Sequence, residues 1–166
     1  VVRYGNVAGS RGSVIPFFKQ LVETGEKDLP VTDVRMTRFW MTLDDAVNLV
    51  LEAFNKASGG EIFVYKNPSF KITDLAKVLS PDGKIREVGI RVGEKIHESM
   101  ITKDDSRSTY EYDKYYIIYP QYQWWDKKQL IPGGKIVEKD WEYSSGTNKM
   151  WLTVDELAKR IEKLSK

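Results

Sequence analysis

Strand-like and helix-like segments alternate over residues 1–90, and that alternation is what most constrains the fold. Val1 to Ala8 is β-rich and ends in small residues, and the glycine loop Gly9-Ser10-Arg11-Gly12-Ser13 follows. An apolar-periodic segment then runs from Val14 to about Thr24, with Pro16 in the first turn, where proline is tolerated. Short strands are expected near Pro30–Asp33 and Arg38–Met41. Thr42, with Asp45 three residues on, marks a helix start. Leu43, Val47, Val50 and Phe54 recur at helical spacing until Gly59-Gly60 stops them. Glu61–Tyr65 alternates as a strand; Ile72, Leu75, Ala76 and Leu79 mark another helix; Lys84–Ile90 is strand-like again. Such an order predicts an α/β unit with parallel pairing.

The character changes after residue 103, so the chain is read as two parts, 1–103 and 104–166. Residues 107–128 hold eight tyrosines and tryptophans, including Tyr115-Tyr116-Ile117-Ile118-Tyr119, read as a strand with irregular arms. The last helix is well signalled. Thr153 and Glu156 form a capping box, Leu152 and Leu157 a hydrophobic staple, and Val154, Leu157, Ala158, Ile161 and Leu164 a stripe that predicts docking on a partner surface.

Composition narrows the chemistry. The absence of cysteine excludes disulfides, thiol catalysis and cysteine-ligated zinc, and a single histidine, His97, excludes a histidine-based metal cluster within these 166 residues. A net charge of +2 predicts no general attraction to nucleic acid or anionic membrane. No apolar run approaches the ~18 residues of a membrane span. Opening on Val1-Val2-Arg3, with no lead-in, the sequence reads as a piece of a longer polypeptide.

Several residues carry two readings each. The glycine loop is a tight turn or, with Arg3 and Arg11 near it, an anion site at a helix start. Asn6 caps a turn or reaches a ligand. Arg38, an arginine in an apolar strand, needs a carboxylate or a phosphate. Arg91 and Glu94 form a solvated turn or a phosphate fork beside a diol acceptor. His97 is a hydrogen-bonded structural residue or a catalyst. Trp124-Trp125 packs in an interior or stacks on sugar rings. The pairs Asp44-Asp45 and Asp104-Asp105 read as capping and surface charge, with no acid–base dyad.

Four ordered blocks resemble a known family. Val2-Arg3-Tyr4-Gly5-Asn6-Val7 with Gly9 to Phe18 is similar to the sixth-strand region of extended short-chain dehydrogenase/reductases acting on nucleotide sugars. Met36-Thr37-Arg38-Phe39-Trp40-Met41-Thr42-Leu43-Asp44-Asp45 resembles the next family block. Arg91-Val92-Gly93-Glu94-Lys95-Ile96-His97-Glu98 resembles a block of UDP-N-acetylglucosamine 4,6-dehydratases, with Val92 where that block has proline. The tail, from Asp140-Trp141 through Asn148 to Leu157, is similar to the C-terminal extension of capsule and O-antigen enzymes.

The resemblance implies an α/β fold: the C-terminal part of an extended Rossmann-type enzyme, with a substrate-binding lobe, an aromatic extension and a docking helix. It implies that Asn6 contacts the substrate diphosphate and that Ser13, Val14, Pro16 and Phe17 lie against the uracil. Arg38 and Arg91 would hold phosphates, Glu94 the ribose hydroxyls, and Tyr4 and Gly5 would pass near a nicotinamide. NADP would be bound mainly by an N-terminal Rossmann half, which also carries the glycine motif and the Tyr-x-x-x-Lys pair, so no catalytic residue is expected in this chain. The expected parent enzyme oxidises the sugar at C4, eliminates water across C5 and C6 and returns the hydride to C6. It would be cytoplasmic and homo-oligomeric, and the 166 residues alone would be inactive. The alternatives are the same half of a UDP-hexose 4-epimerase and a stand-alone carbohydrate-binding or interaction module using Trp124 and Trp125.

Overall fold

Two successive turns carry the chain from the N-terminal segment into the first helix. Ser10 donates its amide to the Val7 carbonyl and Ser13 to that of Ser10, with Gly9 and Gly12 both at φ +77°, a backbone conformation that side chains strain. The computed structural model describes residues 1–123 and 125–164. In chain order the elements are α1 (Val14–Glu23), β1 (Leu29–Val31), β2 (Thr37–Phe39), α2 (Leu43–Lys56), β3 (Ile62–Tyr65), β4 (Ser69–Lys71) and α3 (Ile72–Leu79). They continue as β5 (Ile85–Glu87), β6 (Ser99–Ile101), β7 (Thr109–Glu111), β8 (Tyr115–Ile118), β9 (Lys135–Ile136), β10 (Tyr143–Ser144) and α4 (Val154–Lys163).

These elements form two compact units, between which the chain crosses after residues 5, 42, 66, 98 and 144. The unit holding α1, β1, β2, β4, α3, β5 and α4 has a core of helix faces and strands. Ile15 and Phe18 of α1, Leu29 and Val31 of β1, Leu75 and Ala76 of α3, and Leu157 and Ile161 of α4 meet around Trp40. β1 pairs with β5 in parallel and β2 with β4 antiparallel. The capping box is present: Glu156 donates its amide to Thr153 Oγ1, and its carboxylate accepts from the Thr153 amide at 2.8 Å. The end-helix expected to seek a partner docks on α3 of its own unit, because its stripe of Leu157 and Ile161 completes this core; Val154, counted in the stripe, is 41% exposed. Thr153→Ala is expected to cost about 1 kcal/mol of stability, read as a lower urea midpoint at unchanged m-value.

The other unit is built on a four-stranded antiparallel sheet in the order β3-β8-β7-β9. All four residues of β8 are buried, as suits a central strand covered on both faces. Arg3 and Val1 exchange backbone hydrogen bonds with Phe63, so the strand expected over residues 1–8 is reduced to one parallel bridge at Val2. Parallel ladders are likewise fewer than the alternation suggests: β1–β5 is the one ladder of that kind among the described residues. Short hairpin-like strands favour antiparallel pairing, since parallel pairs need a long crossover.

α2 begins directly after Thr42, with Asp44 and Asp45 in its first turn, where they favour the positive end of the helix dipole. It buries Ala46, Leu49 and Ala53, while the stripe read from the sequence (Leu43, Val47, Val50 and Phe54) faces outward, Phe54 at 85% exposure. Ala46 and Ala53 flank the fully buried Leu49 on the face towards β3, and the stripe lies about 100° round the helix from it.

Candidate functional site

The uncapped start of α1 opens one side of a cavity of about 570 Å³ that lies wholly within the three-helix unit. That volume falls in the range of small-molecule sites. Ser13 is the N-cap residue, yet its hydroxyl accepts no capping bond and is buried without a partner. No acidic side chain occupies the first turn, so the positive end of the helix is unneutralised there. Gly12, Ser13, Val14 and Phe17 line this side. Asn6, exposed at the rim, enters from the preceding segment.

The charges come from two further segments. Arg38 projects from β2, and Arg91 and Glu94 come from the loop after β5, all three lining the same cavity. Arg91 and Glu94 form a tight turn: the Arg91 amide donates to Glu94 Oε2 at 3.0 Å, and the Glu94 amide to the Arg91 carbonyl at 3.1 Å. The Arg91 guanidinium is solvent-exposed and makes no ion pair among the described residues. Arg38 is more constrained. Its Nη1 donates to the carbonyls of Thr37 and Ile96 at 2.7 and 3.0 Å, its Nη2 to Lys95 at 3.0 Å, and its Nε lies 3.6 Å from Glu98 Oε1. Its second Nη2 hydrogen has only Met36 Sδ, at 3.8 Å.

Seven residues singled out in the sequence therefore converge: Asn6, Ser13, Val14, Phe17, Arg38, Arg91 and Glu94. Pro16 sits in the first turn of α1 but lines no part of the cavity, and Tyr4 and Gly5 belong to the other unit. The apolar lining, including Ile15, Phe18, Met36, Phe39, Phe70 and Ile72, was not singled out. Ile15, Phe18 and Ile72 fall in apolar-periodic helical segments, and all but Phe39 pack in the core cluster; no sequence signal distinguishes a core residue with one open face. Chemically the cavity offers backbone and amide donors, two guanidinium groups, one carboxylate acceptor and an apolar wall.

Other candidates fall away from chemistry. Arg3 is spent on Asp105, at 2.9 Å, and on the Met100 carbonyl. Trp125 is buried, donates its indole N–H to the Gly59 carbonyl at 2.9 Å and packs on Tyr119, so it is no stacking platform; Trp124 lies outside the described residues. Burial pushes the Tyr116 phenol up to about 12, among the rings of Trp141 and Tyr143. His97 accepts or donates at Thr37 Oγ1, 2.8 Å away, the structural reading of this residue. Among the described residues no helix is long and apolar enough to cross a membrane.

Comparison with known proteins places these features. Residues 1–120 match the family model described as polysaccharide biosynthesis protein. The chain belongs to that family. A UDP-N-acetylglucosamine 4,6-dehydratase (inverting) of Campylobacter jejuni subsp. jejuni serotype O:2 is 50% identical over 97% of this chain and 50% of its own length. A UDP-glucose 4-epimerase of Rickettsia canadensis is 47% identical, over 71% of this chain and 36% of its own. Among solved structures, Pen from Bacillus thuringiensis superposes with a TM-score of 0.81 at 35% identity, covering 99% of this chain and 49% of that one. The α/β fold class expected of the family, the C-terminal part of a Rossmann-like fold, is thus the fold of this chain. The chain spans about half the length of the curated dehydratases it matches.

Proposed function

We propose that the chain is the UDP-sugar-binding C-terminal half of an inverting, 5-epimerising UDP-N-acetylglucosamine 4,6-dehydratase of surface-polysaccharide synthesis, working in the cytoplasm. The observation that carries this reading is the convergence of Asn6, the α1 start, Arg38, Arg91 and Glu94 on one cavity, the functional groups that a nucleoside diphosphate requires. The Arg91 fork matches phosphate oxygens in geometry and stays charged, and Arg38 adds a second cation from β2. Asn6 donates to the diphosphate. Ser13, Val14 and Phe17 form the uracil side, and the Glu94 carboxylate accepts from the ribose hydroxyls. Fixing the uridine diphosphate holds the sugar over the reacting centre, which lowers the entropic part of the barrier.

NADP, which would supply the hydride acceptor and donor, would be held mainly by residues N-terminal to this chain in the longer protein. The residues present suit a minor share: Tyr4 is 44% exposed and Gly5 carries no side chain, so a flat ring can lie against both. The outward stripe of α2 has the same explanation. Leu43, Val47, Val50, Leu51 and Phe54 are all exposed, the curated dehydratases are twice as long, and the N-terminal half is the cover this reading assigns to them. The dehydratase is preferred to the epimerase because identity to the dehydratases runs through the C-terminal segment, over 97% of the chain, whereas the epimerase match covers 71%. A homo-oligomer is part of the proposal.

Product analysis tests it. The full-length protein, given UDP-N-acetylglucosamine and NADP, is expected to form a 4-keto-6-deoxy product with inverted C5, seen by NMR and mass spectrometry as loss of water. A product of unchanged mass, epimerised at C4 only, would overturn the dehydratase reading.

A further inference from the structure

Two segments hold the Arg38 guanidinium; the Thr37 amide joins them directly by donating to the Ile96 carbonyl at 3.1 Å, and a buried hydroxyl adds a second tie. From β2, the Thr37 carbonyl accepts from Nη1; from residues 95–98, the carbonyls of Ile96 and Lys95 accept from Nη1 and Nη2, and the Glu98 carboxylate faces Nε. Ser145 is fully buried, and its Oγ donates to that same Thr37 carbonyl at 3.1 Å. The same Oγ accepts from the Glu98 amide at 2.9 Å and lies 2.7 Å from Thr37 Oγ1. The Ser145 amide completes the tie by donating to the Glu98 carbonyl at 2.8 Å. Beside it, Gly146 lies flat against the His97 ring: a Cβ there would come within 2.6 Å of Cγ. Neither Ser145, Gly146 nor His97 lines the cavity.

We propose that Ser145 is a positioning residue for Arg38, fixing the bed of carbonyls that aims the guanidinium at the bound diphosphate. This rests on the proposed role of Arg38 at the diphosphate. The carbonyls, and not the acid, set the orientation, because the Glu98–Arg38 pair at 3.6 Å is beyond hydrogen-bond length and Glu98 Oε2 is buried without a partner. Burial pushes the Glu98 carboxyl up, against the pull of Arg38 and Lys95, so this acid is a costly and weak anchor. A guanidinium with two Nη1 bonds and one Nη2 bond to carbonyls can turn only if one of the two segments moves; beside the Thr37 amide–Ile96 carbonyl bond, Ser145 resists that by holding both the Thr37 carbonyl and the Glu98 amide. The C-terminal segment thereby sets nucleotide affinity without touching the nucleotide, as outer-shell residues do elsewhere.

A double-mutant cycle on UDP affinity, measured by calorimetry in the full-length protein, decides the matter. Ser145→Ala is expected to weaken UDP binding roughly tenfold, and the double variant with Arg38→Ala to bind no more weakly than Arg38→Ala alone. In an Arg91→Ala background the same roughly tenfold loss is expected to remain, since Arg91 is held independently. Should Ser145→Ala or Arg38→Ala fail to fold, Ser145→Cys and Arg38→Lys run the same cycle. Unchanged affinity in the Ser145 variant, or losses that multiply with those of Arg38, overturns the positioning role. Unchanged affinity in the Arg38 variant, or no UDP binding by the unaltered protein, instead overturns the reading on which it rests.

Discussion

Arg91→Ala is expected to cost the full-length protein about 2–3 kcal/mol of UDP affinity, roughly 30- to 150-fold in Kd, with its melting temperature unchanged. The size follows from what the side chain does before binding. Its guanidinium is exposed and without an ion pair among the described residues, so folding does not depend on it and the whole effect falls on the ligand. Once a phosphate sits in the cavity, two charge-assisted hydrogen bonds in a partly dry site are lost together. Arg91→Lys keeps the charge and loses the fork, so it should recover part of the affinity and none of the bidentate geometry. Titration of each variant with UDP gives the ratio directly. An Arg91→Ala protein that binds UDP as tightly as the parent would remove the main cation from the proposed site. Arg38 is a poorer single probe, because three carbonyls of its own unit depend on it and its loss disturbs the loop as well as the ligand.

What the sequence announces and what it hides divide along physical lines. Local signals held: Pro16 in a first turn, the glycine loop before α1 and the Thr153–Glu156 box all act within a few residues, and the structure has each of them. Chemistry-bearing residues in unusual settings, such as Arg38 in an apolar strand, were also readable, since a charge there must find a partner. The partner itself was not, because the carbonyls of Lys95 and Ile96 come from a segment more than fifty residues away. The buried face of α2 was hidden for another reason. Its bulky stripe recurs at helical spacing, but the face that is buried is that of Ala46, Leu49 and Ala53, and periodicity says how many faces are apolar without saying which meets which neighbour. The role of Ser145 was hidden too: the tail block marks it by resemblance alone, as the second of two adjacent serines, and its two-sided role exists only once β2 and residues 95–98 lie beside it.

Leu157→Ala should separate fold from site in the opposite sense to Arg91→Ala. Leu157 is fully buried in the core cluster, where α4 packs on α3, and truncating such a leucine costs about 2–5 kcal/mol through lost burial and the void left behind. At about 3 kcal/mol, this corresponds to a melting temperature lower by roughly 6–12 °C for a chain of this size. Ile15, Phe18, Met36, Phe70 and Ile72 belong to that same cluster and also line the cavity, so the core that Leu157 completes is the floor of the site. Leu157 itself does not reach the cavity, and a folded Leu157→Ala protein still presents Asn6, Arg91 and Glu94 in place. UDP affinity at a temperature well below the new midpoint is therefore expected to stay within about threefold of the parent, while the thermal midpoint falls. Saturating UDP should raise the midpoint of the parent and of the variant alike, because both bind it in the folded state. A variant that melts as the parent does would mean that α4 is not part of this core. One that keeps its midpoint relation but loses UDP by more than tenfold would mean that the helix shapes the cavity directly, and that the floor and the charges cannot be varied independently.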